Sequence, residues 1–463
     1  MDTETIYGEL RVMNPWWLSG RVPGSQIKPF KRDAYFAVAA RLKRYPDKAV
    51  LLRGPRQVGK TVLAYQVISD HLAENDPLSV VYVSYDRPTL RNLSQEDILR
   101  VTREIHGTPP SLLVLDEIQY LRDWDQWLKV FVDGKHGTKV LATGSSSLAL
   151  KRGRRESGAG RWVEVLMFPL SFAEFVELRT GKSLLSLPFI REGKPLSGKV
   201  SEERWAIESG VFKELFREYV QKGGFPGVID LDPWRAQDEL RDILDKALFK
   251  DVAALMGKRE PLALESLVYY LAKYPGSILV AEKLSEDLGI QRATLEGYLA
   301  ALEDMMLLVR LPNLRGKTRR YKAYFADTAL LSMLRGSQSG LLDDNLRGAL
   351  LETVALANLR HFAALNNLGI FYWRSGDYEI DFVLTKAMKP EIAVEIKSGG
   401  KKLKGAARFY REYGVPVRVM GLTRPEALPE GALWVPIEFD LYRATSFVRQ
   451  TVEMELARAT ERA

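Results

Sequence analysis

Eight residues constrain this chain more than any others. Gly54-Pro55-Arg56-Gln57-Val58-Gly59-Lys60-Thr61 fits the pattern G-x-x-x-x-G-K-[ST] in full. Its flanks give the match meaning. "KAVLLR" before it is a short apolar run that reads as a buried strand, and "TVLAYQVISDHLA" after it carries apolar residues at helical spacing. Strand, glycine loop and helix is the order a phosphate-binding loop requires. Gly54 and Gly59 let the backbone curl so that successive N–H groups point at phosphates, with Pro55, Arg56, Gln57 and Val58 forming the turn between them. The helix N-terminus adds partial positive charge. Lys60 is then expected to reach the β- and γ-phosphates of ATP, and the Thr61 hydroxyl to ligate Mg²⁺.

Two further strands carry the same logic. "SLLVLDEIQYL" (111–121) is an apolar strand ending in Asp116-Glu117. Asp116 is expected to hold Mg²⁺, and Glu117 to act as general base toward the attacking water. "KVLATGSSSLAL" (139–150) ends in Thr143-Gly144-Ser145-Ser146. Ser145 aligns best as a polar sensor of the γ-phosphate, with Thr143 second and a plain helix N-cap as the structural alternative. Arg161 follows a glycine-rich loop and precedes a strand. It could stabilise transition-state charge in its own site or a neighbour's, in competition with Arg152, Arg154 and Arg155.

These motifs, with "GAGRW", "FPLSFAEF" and "YVQKGGFPGVI" (219–229), resemble a widespread family of prokaryotic AAA-superfamily ATPases whose members carry a C-terminal extension. The resemblance covers nearly the whole chain and implies a RecA-like P-loop αβα core with a helical lid. Trp16 and Trp17 read either as a cover for adenine or as core aromatics that anchor the N-terminal segment.

Past the core, "VAEKLSEDLG" and "QRATLEGYLAALEDMMLLVRL" read as two helices joined at Gly289, a helix-turn-helix. A basic hairpin follows, with Arg315, Lys317, Arg319, Arg320 and Lys322 and no acidic residue before Asp327. Helix-turn-helix plus wing is the winged-helix arrangement. Its wing could lie along DNA phosphates while Gln291, Arg292 and Thr294 open the recognition helix. Glu296, Glu303 and Asp304 on that helix favour the alternative, docking to protein.

The last third holds a third constellation. A helix bears Glu352, "YEIDFVL" is an alternating strand with Asp381, and "EIAVEIKS" puts Glu395 and Lys397 on one strand face. Two carboxylates can take Mg²⁺ and the lysine can stabilise charge on phosphorus. This resembles the PD-(D/E)XK nuclease fold of many restriction enzymes, with Ile380 where proline is usual. The resemblance implies that Asp381 and Glu395 are metal ligands, Lys397 the catalytic lysine and Glu352 an accessory acid. Lys401, Lys402 and Lys404 would supply a phosphate-facing patch.

The expected fold is therefore multidomain α/β. Residues 1–175 form the ATPase core with its N-terminal segment, 176–257 the helical lid, 258–330 the winged helix and 331–463 the restriction-endonuclease-like domain. Composition narrows the class further. The 463 residues carry a net charge of +8, which suits a polyanionic partner. There is no cysteine, and the four histidines at 71, 106, 136 and 361 are scattered, which excludes thiol chemistry and a histidine metal site. A polar N-terminus and no membrane-length apolar run fit the cytoplasm. The function expected is a Mg²⁺-dependent ATPase that binds DNA and couples ATP to a nuclease-like domain, with a homo-oligomeric ring as one arrangement. The alternatives are an ATP-dependent DNA-binding switch whose nuclease-like domain does not cut, and a protein-remodelling ATPase.

Overall fold

Five apolar runs build the first sheet: β1 (Ala49–Gly54), β2 (Val80–Ser84), β3 (Leu112–Asp116), β4 (Lys139–Ser145) and β5 (Trp162–Leu166). Every pairing is parallel, in the order β2-β3-β4-β1-β5. β1, β2 and β3 are buried along their whole length, as a sheet covered on both faces demands. β4 lies between β1 and β3, with Gly54 opposite Ser145 and Leu115 opposite Ala142. The loop after β1, the acid at the end of β3 and the polar end of β4 therefore share the carboxyl edge of the sheet, where open α/β sheets take ligands.

The structure is a computed structural model that describes residues 3–91, 93–121, 123–145, 160–181, 202–252, 261–316, 320–337, 340–398 and 403–461. Ser146, Arg152, Arg154, Arg155, Lys317, Arg319, Lys401 and Lys402 lie outside the described residues. The chain divides into two compact units, Met1–Met167 with Arg449–Ala463, and Phe168–Val448.

In the first unit the N-terminal segment closes the edge of β2. The Trp16 and Trp17 indoles both donate to the Val80 carbonyl, at 3.0 and 2.9 Å. Asn14 donates to the Tyr82 carbonyl and accepts from its N–H, at 2.9 and 2.6 Å. Side chains thus take the place of a neighbouring strand on this edge. Both tryptophans are buried in that work, the anchoring role of the two readings.

The second unit begins with the helices Phe172–Thr180, Glu202–Lys222 and Pro233–Asp245. Next come helix Pro261–Lys273, β6 (Ile278–Val280), helices Ala281–Leu288 and Arg292–Asp304, β7 (Leu308–Pro312) and β8 (Arg320–Phe325). These strands form an antiparallel sheet in the order β6-β8-β7. Gly289, at φ +65°, ends the first of the paired helices in the left-handed conformation that glycine tolerates best. Glu296 and Glu303 both bind Arg310 of β7, so these acids serve the packing of this module.

Helix Arg347–Asn366 leads into a second five-stranded sheet, β9 (Gly369–Ser375), β10 (Tyr378–Lys386), β11 (Lys389–Lys397), β12 (Val417–Gly421) and β13 (Ala432–Pro436), with strand order β13-β12-β11-β10-β9. β9, β10 and β11 are antiparallel, and β12 and β13 continue in parallel. Trp373, Ile380, Val383, Ala393 and Val417 make its core with Ala406 and Phe409 of helix Ala406–Tyr413. Among the described residues no helix is long and apolar enough to cross a membrane.

Candidate nucleotide site and a second acidic centre

The loop 54–61 joins β1 to helix Lys60–Leu72. Gln57 and Gly59 adopt φ of +59° and +97°, the left-handed geometry that turns consecutive N–H groups inward. At Gly54 any side chain would collide with the Met167 carbonyl, so the loop needs glycine there. Val58 is fully buried, and Arg32 donates to its carbonyl at 3.0 Å. Arg56 donates to the Tyr120 hydroxyl at 3.1 Å. Lys60 is 5% exposed and its ammonium donates to the Gly54 and Pro55 carbonyls, at 3.1 and 2.7 Å, across the mouth of the loop.

Asp116 is the hub of the site. Its Oδ2 accepts from the hydroxyls of Thr61 at 2.9 Å and Tyr82 at 2.8 Å, and its Oδ1 accepts from Thr143. Glu117 holds φ +55°, a strained conformation for this residue, and accepts from the Gln119 side chain. Gln119 in turn accepts from the Ser145 N–H at 3.0 Å. Burial pushes the Glu117 carboxyl up, Lys60 opposes this and Asp116 reinforces it. Burial that raises the proton affinity of a carboxylate makes it a better base. The residues fit a magnesium nucleotide: a glycine cradle for phosphate, a hydroxyl beside a carboxylate for the ion, and a second carboxylate next to it.

Thr61, Lys60, Asp116, Glu117 and Ser145 thus meet at one edge. The two sensor candidates make different contacts. Thr143 is the one bonded to Asp116, whereas Ser145 reaches Glu117 through Gln119. Arg161 needs a larger correction as a residue of its own site. Its carbonyl accepts from the Ala49 N–H at 3.0 Å and its guanidinium pairs with Asp133 at 2.8 Å. That is the amino end of β1, about 17 Å of strand away from the loop at a rise of about 3.3 Å per residue. Tyr82 and Gln119 were not singled out from the sequence. Gln119 carries a local signal, an amide two residues beyond the paired acids, while Tyr82 acts from a neighbouring strand.

In the second unit Asp381, Glu395, Lys397 and Glu352 gather around β10 and β11. The register of β10 against β9 shifts between Ile380 and Val383, an irregularity of the kind that re-aims a side chain. Asp381 accepts from the Ile396 N–H at 2.8 Å. Lys397 donates to Glu395 Oε1 at 2.7 Å, as expected of residues two apart on one strand face. Glu395 Oε2 is buried with no hydrogen-bond partner. Glu352 accepts from the Tyr324 hydroxyl at 2.8 Å. Burial, reinforced by the Asp381 charge, pushes both Glu352 and Glu395 upward. Carboxylate oxygens are the donors a hard divalent cation takes, but among the described residues no group of three acidic or histidine side chains is placed to hold one.

Lys322 corrects the reading of the basic hairpin. It is 4% exposed, not phosphate-facing, because its ammonium pairs with Glu379 and lies 3.3 Å from Asp381. Arg315 is exposed but tied down, donating to Glu412 at 3.0 Å and to Ser375 at 2.8 Å. Arg320 and Lys404 are exposed.

A parallel sheet with a glycine loop after one strand, an acid pair after another and a polar tip between them is the arrangement of a P-loop domain. Residues 46–176 match the AAA domain family, so this segment is an AAA-type P-loop domain. Residues 213–340 and 347–439 match two domains of unknown function, DUF8612 and DUF4143. Similar proteins include two uncharacterized proteins of Methanocaldococcus jannaschii. MJ1544 is 25% identical over 76% of this chain and 76% of its own, and MJ1637 is 27% identical over 81% and 82%. The uncharacterized protein Rv2008c of Mycobacterium tuberculosis is 28% identical over 78% of this chain and 72% of its own.

Proposed function

We propose that this chain is a Mg²⁺-dependent ATPase that acts on DNA, its nucleotide cycle driving a winged helix and a nuclease-like C-terminal domain. One observation carries the ATPase reading: Asp116 gathers hydroxyls from the phosphate loop, β2 and β4 at the carboxyl edge of the sheet. In this reading the loop N–H groups and Lys60 bind the phosphates, and Mg²⁺ supplies charge neutralisation at Thr61 and Asp116. Glu117, oriented by Gln119, accepts a proton from water. Thr143 reports the state of the site through Asp116. Arg161 acts on a neighbouring copy in a homo-oligomeric ring.

The DNA reading is supported by the two helices joined at Gly289 with their β7–β8 hairpin, and by the exposed Arg320 and Lys404. The nuclease-like reading is supported by the order of one helix, three antiparallel strands, a helix and a parallel strand around Glu352, Asp381, Glu395 and Lys397. A second reading, a DNA-binding switch that does not cut, is favoured by the ion pairing of Lys322 to Asp381.

The test is phosphate release and DNA scission by wild type, Lys60→Ala and Glu117→Gln. Linear, branched and supercoiled DNA are supplied with Mg²⁺ or Mn²⁺. Lys60→Ala should lose nucleotide binding. Glu117→Gln should keep it while turnover falls about 10²- to 10⁴-fold. A folded wild type that does not hydrolyse ATP overturns the ATPase reading. Hydrolysis with salt-sensitive DNA binding and no scission selects the switch.

A further inference from the structure

We propose that Lys322 is a built-in counter-cation, a latch on β8 that keeps divalent metal out of the carboxylate centre of Glu352, Asp381 and Glu395 until β8 is drawn away. The inference rests on reading that centre as a metal site.

The latch is made by one face of one strand. Lys322 and Tyr324 are two apart on β8 and project together. Lys322 binds Glu379 and Asp381, and Tyr324 donates to Glu352 at 2.8 Å. The turn before β6 backs this contact. The Gly276 N–H donates to the Ala323 carbonyl at 2.9 Å, and a side chain at Gly276 would run into Glu352 and Tyr324. Both oxygens of Asp381 are thereby engaged, one by the Ile396 N–H and the other by Lys322.

Carboxyl groups crowd this centre. Glu352, Glu379, Asp381 and Glu395 face Lys322 and Lys397, with Arg374 reaching Glu379 at 3.7 Å. Glu395, 8% exposed, keeps one carboxylate oxygen buried without a hydrogen-bond partner. An ammonium and a divalent ion compete for the same oxygens and repel each other at this range in a low-dielectric interior. Among the described residues, no group of three acidic or histidine side chains is placed to hold a metal ion as the centre stands.

The experiment counts free Mn²⁺ by electron paramagnetic resonance, without nucleotide, over the full-length chain. The proteins are wild type, Asp381→Asn, Lys322→Met, Glu379→Gln, and Lys322→Met combined with Asp381→Asn. Circular dichroism and melting check the fold. Lys322→Met should gain a Mn²⁺ site bound about tenfold or more tightly than any wild-type site that Asp381→Asn removes. Asp381→Asn should abolish the gain. Removing a buried cation can unfold a protein, so Glu379→Gln, at a side chain 31% exposed, gives an independent arm. It loosens Lys322 and should show the same gain in smaller measure. If wild type already fills an Asp381-dependent site as tightly as the variants, the latch is wrong and the metal centre stands. If folded variants take up no additional Mn²⁺, the metal-centre reading fails and the latch falls with it.

Discussion

Tyr82→Phe is the sharpest probe of the nucleotide site, because it removes one oxygen and little else. The Tyr82 side chain is buried, its ring 5.1 Å from that of Tyr65 and 6.5 Å from that of Trp16. Phenylalanine fills the same space, so no cavity forms and the ring stays where packing puts it. What is lost is the hydroxyl that donates to Asp116 at 2.8 Å and is also hydrogen-bonded to Tyr65. A hydrogen bond to a charged acceptor contributes about 1.5–3 kcal/mol. Thr61 and Thr143 remain on Asp116, so the carboxylate is loosened, not released. If that energy holds Asp116 in place for the transition state, kcat falls about tenfold to a hundredfold, at 1.36 kcal/mol per tenfold. The phosphate loop is untouched, so KM for ATP should move less than about threefold. The assay is steady-state phosphate release beside a thermal melt. A Tyr82→Phe enzyme with a lower melting temperature but wild-type kcat would refute the positioning role and leave only a structural bond. Thr143→Val completes a double-mutant cycle, in which shared action on Asp116 predicts non-additive losses.

Two further predictions concern the second unit. Arg320→Glu and Lys404→Glu should each weaken DNA binding across sequences and lower the slope of log affinity against log salt by about 1. Fluorescence anisotropy over a salt series measures this, and unchanged slopes would remove these residues from the interface. Burial pushes the Asp327 carboxyl up to about 6, against backbone N–H donors from Gly224, Ala329 and Leu330 that pull it down. The folded chain thus keeps this proton to higher pH than the unfolded chain, whose value is near 3.9. Stability from this group is fully present below about 4 and declines as pH rises through about 6. Urea unfolding of wild type and Asp327→Asn should show the stability difference between them shift by about 2 kcal/mol against wild type from pH 4 to pH 7. A difference that is flat with pH refutes the assignment.

How far the sequence could be read depends on how far apart the cooperating residues stand. The phosphate loop is local: eight consecutive residues between a strand and a helix carry their own geometry, and the structure builds them as that order requires. Asp116 and Glu117 are legible for the same reason, at the end of a strand apolar throughout. Tyr82 escapes because its role exists only once β2 lies beside β3, and the pairing of parallel strands is decided at long range. β12 and β13 were missed on the same ground, whereas β9, β10 and β11, joined by tight turns, declare themselves by alternation. Lys322 is the instructive failure. A run of basic residues before Asp327 reads as one solvated surface, yet a strand turns alternate residues to opposite faces. Lys322 also stands between Tyr321 and Ala323 in a strand buried from its second residue onward. A lysine in that setting needs a carboxylate partner, and the partners, Glu379 and Asp381, arrive only with the next sheet. The signal available beforehand was the apolar company on both sides of the charge. It argued for a buried ion pair and against a phosphate contact.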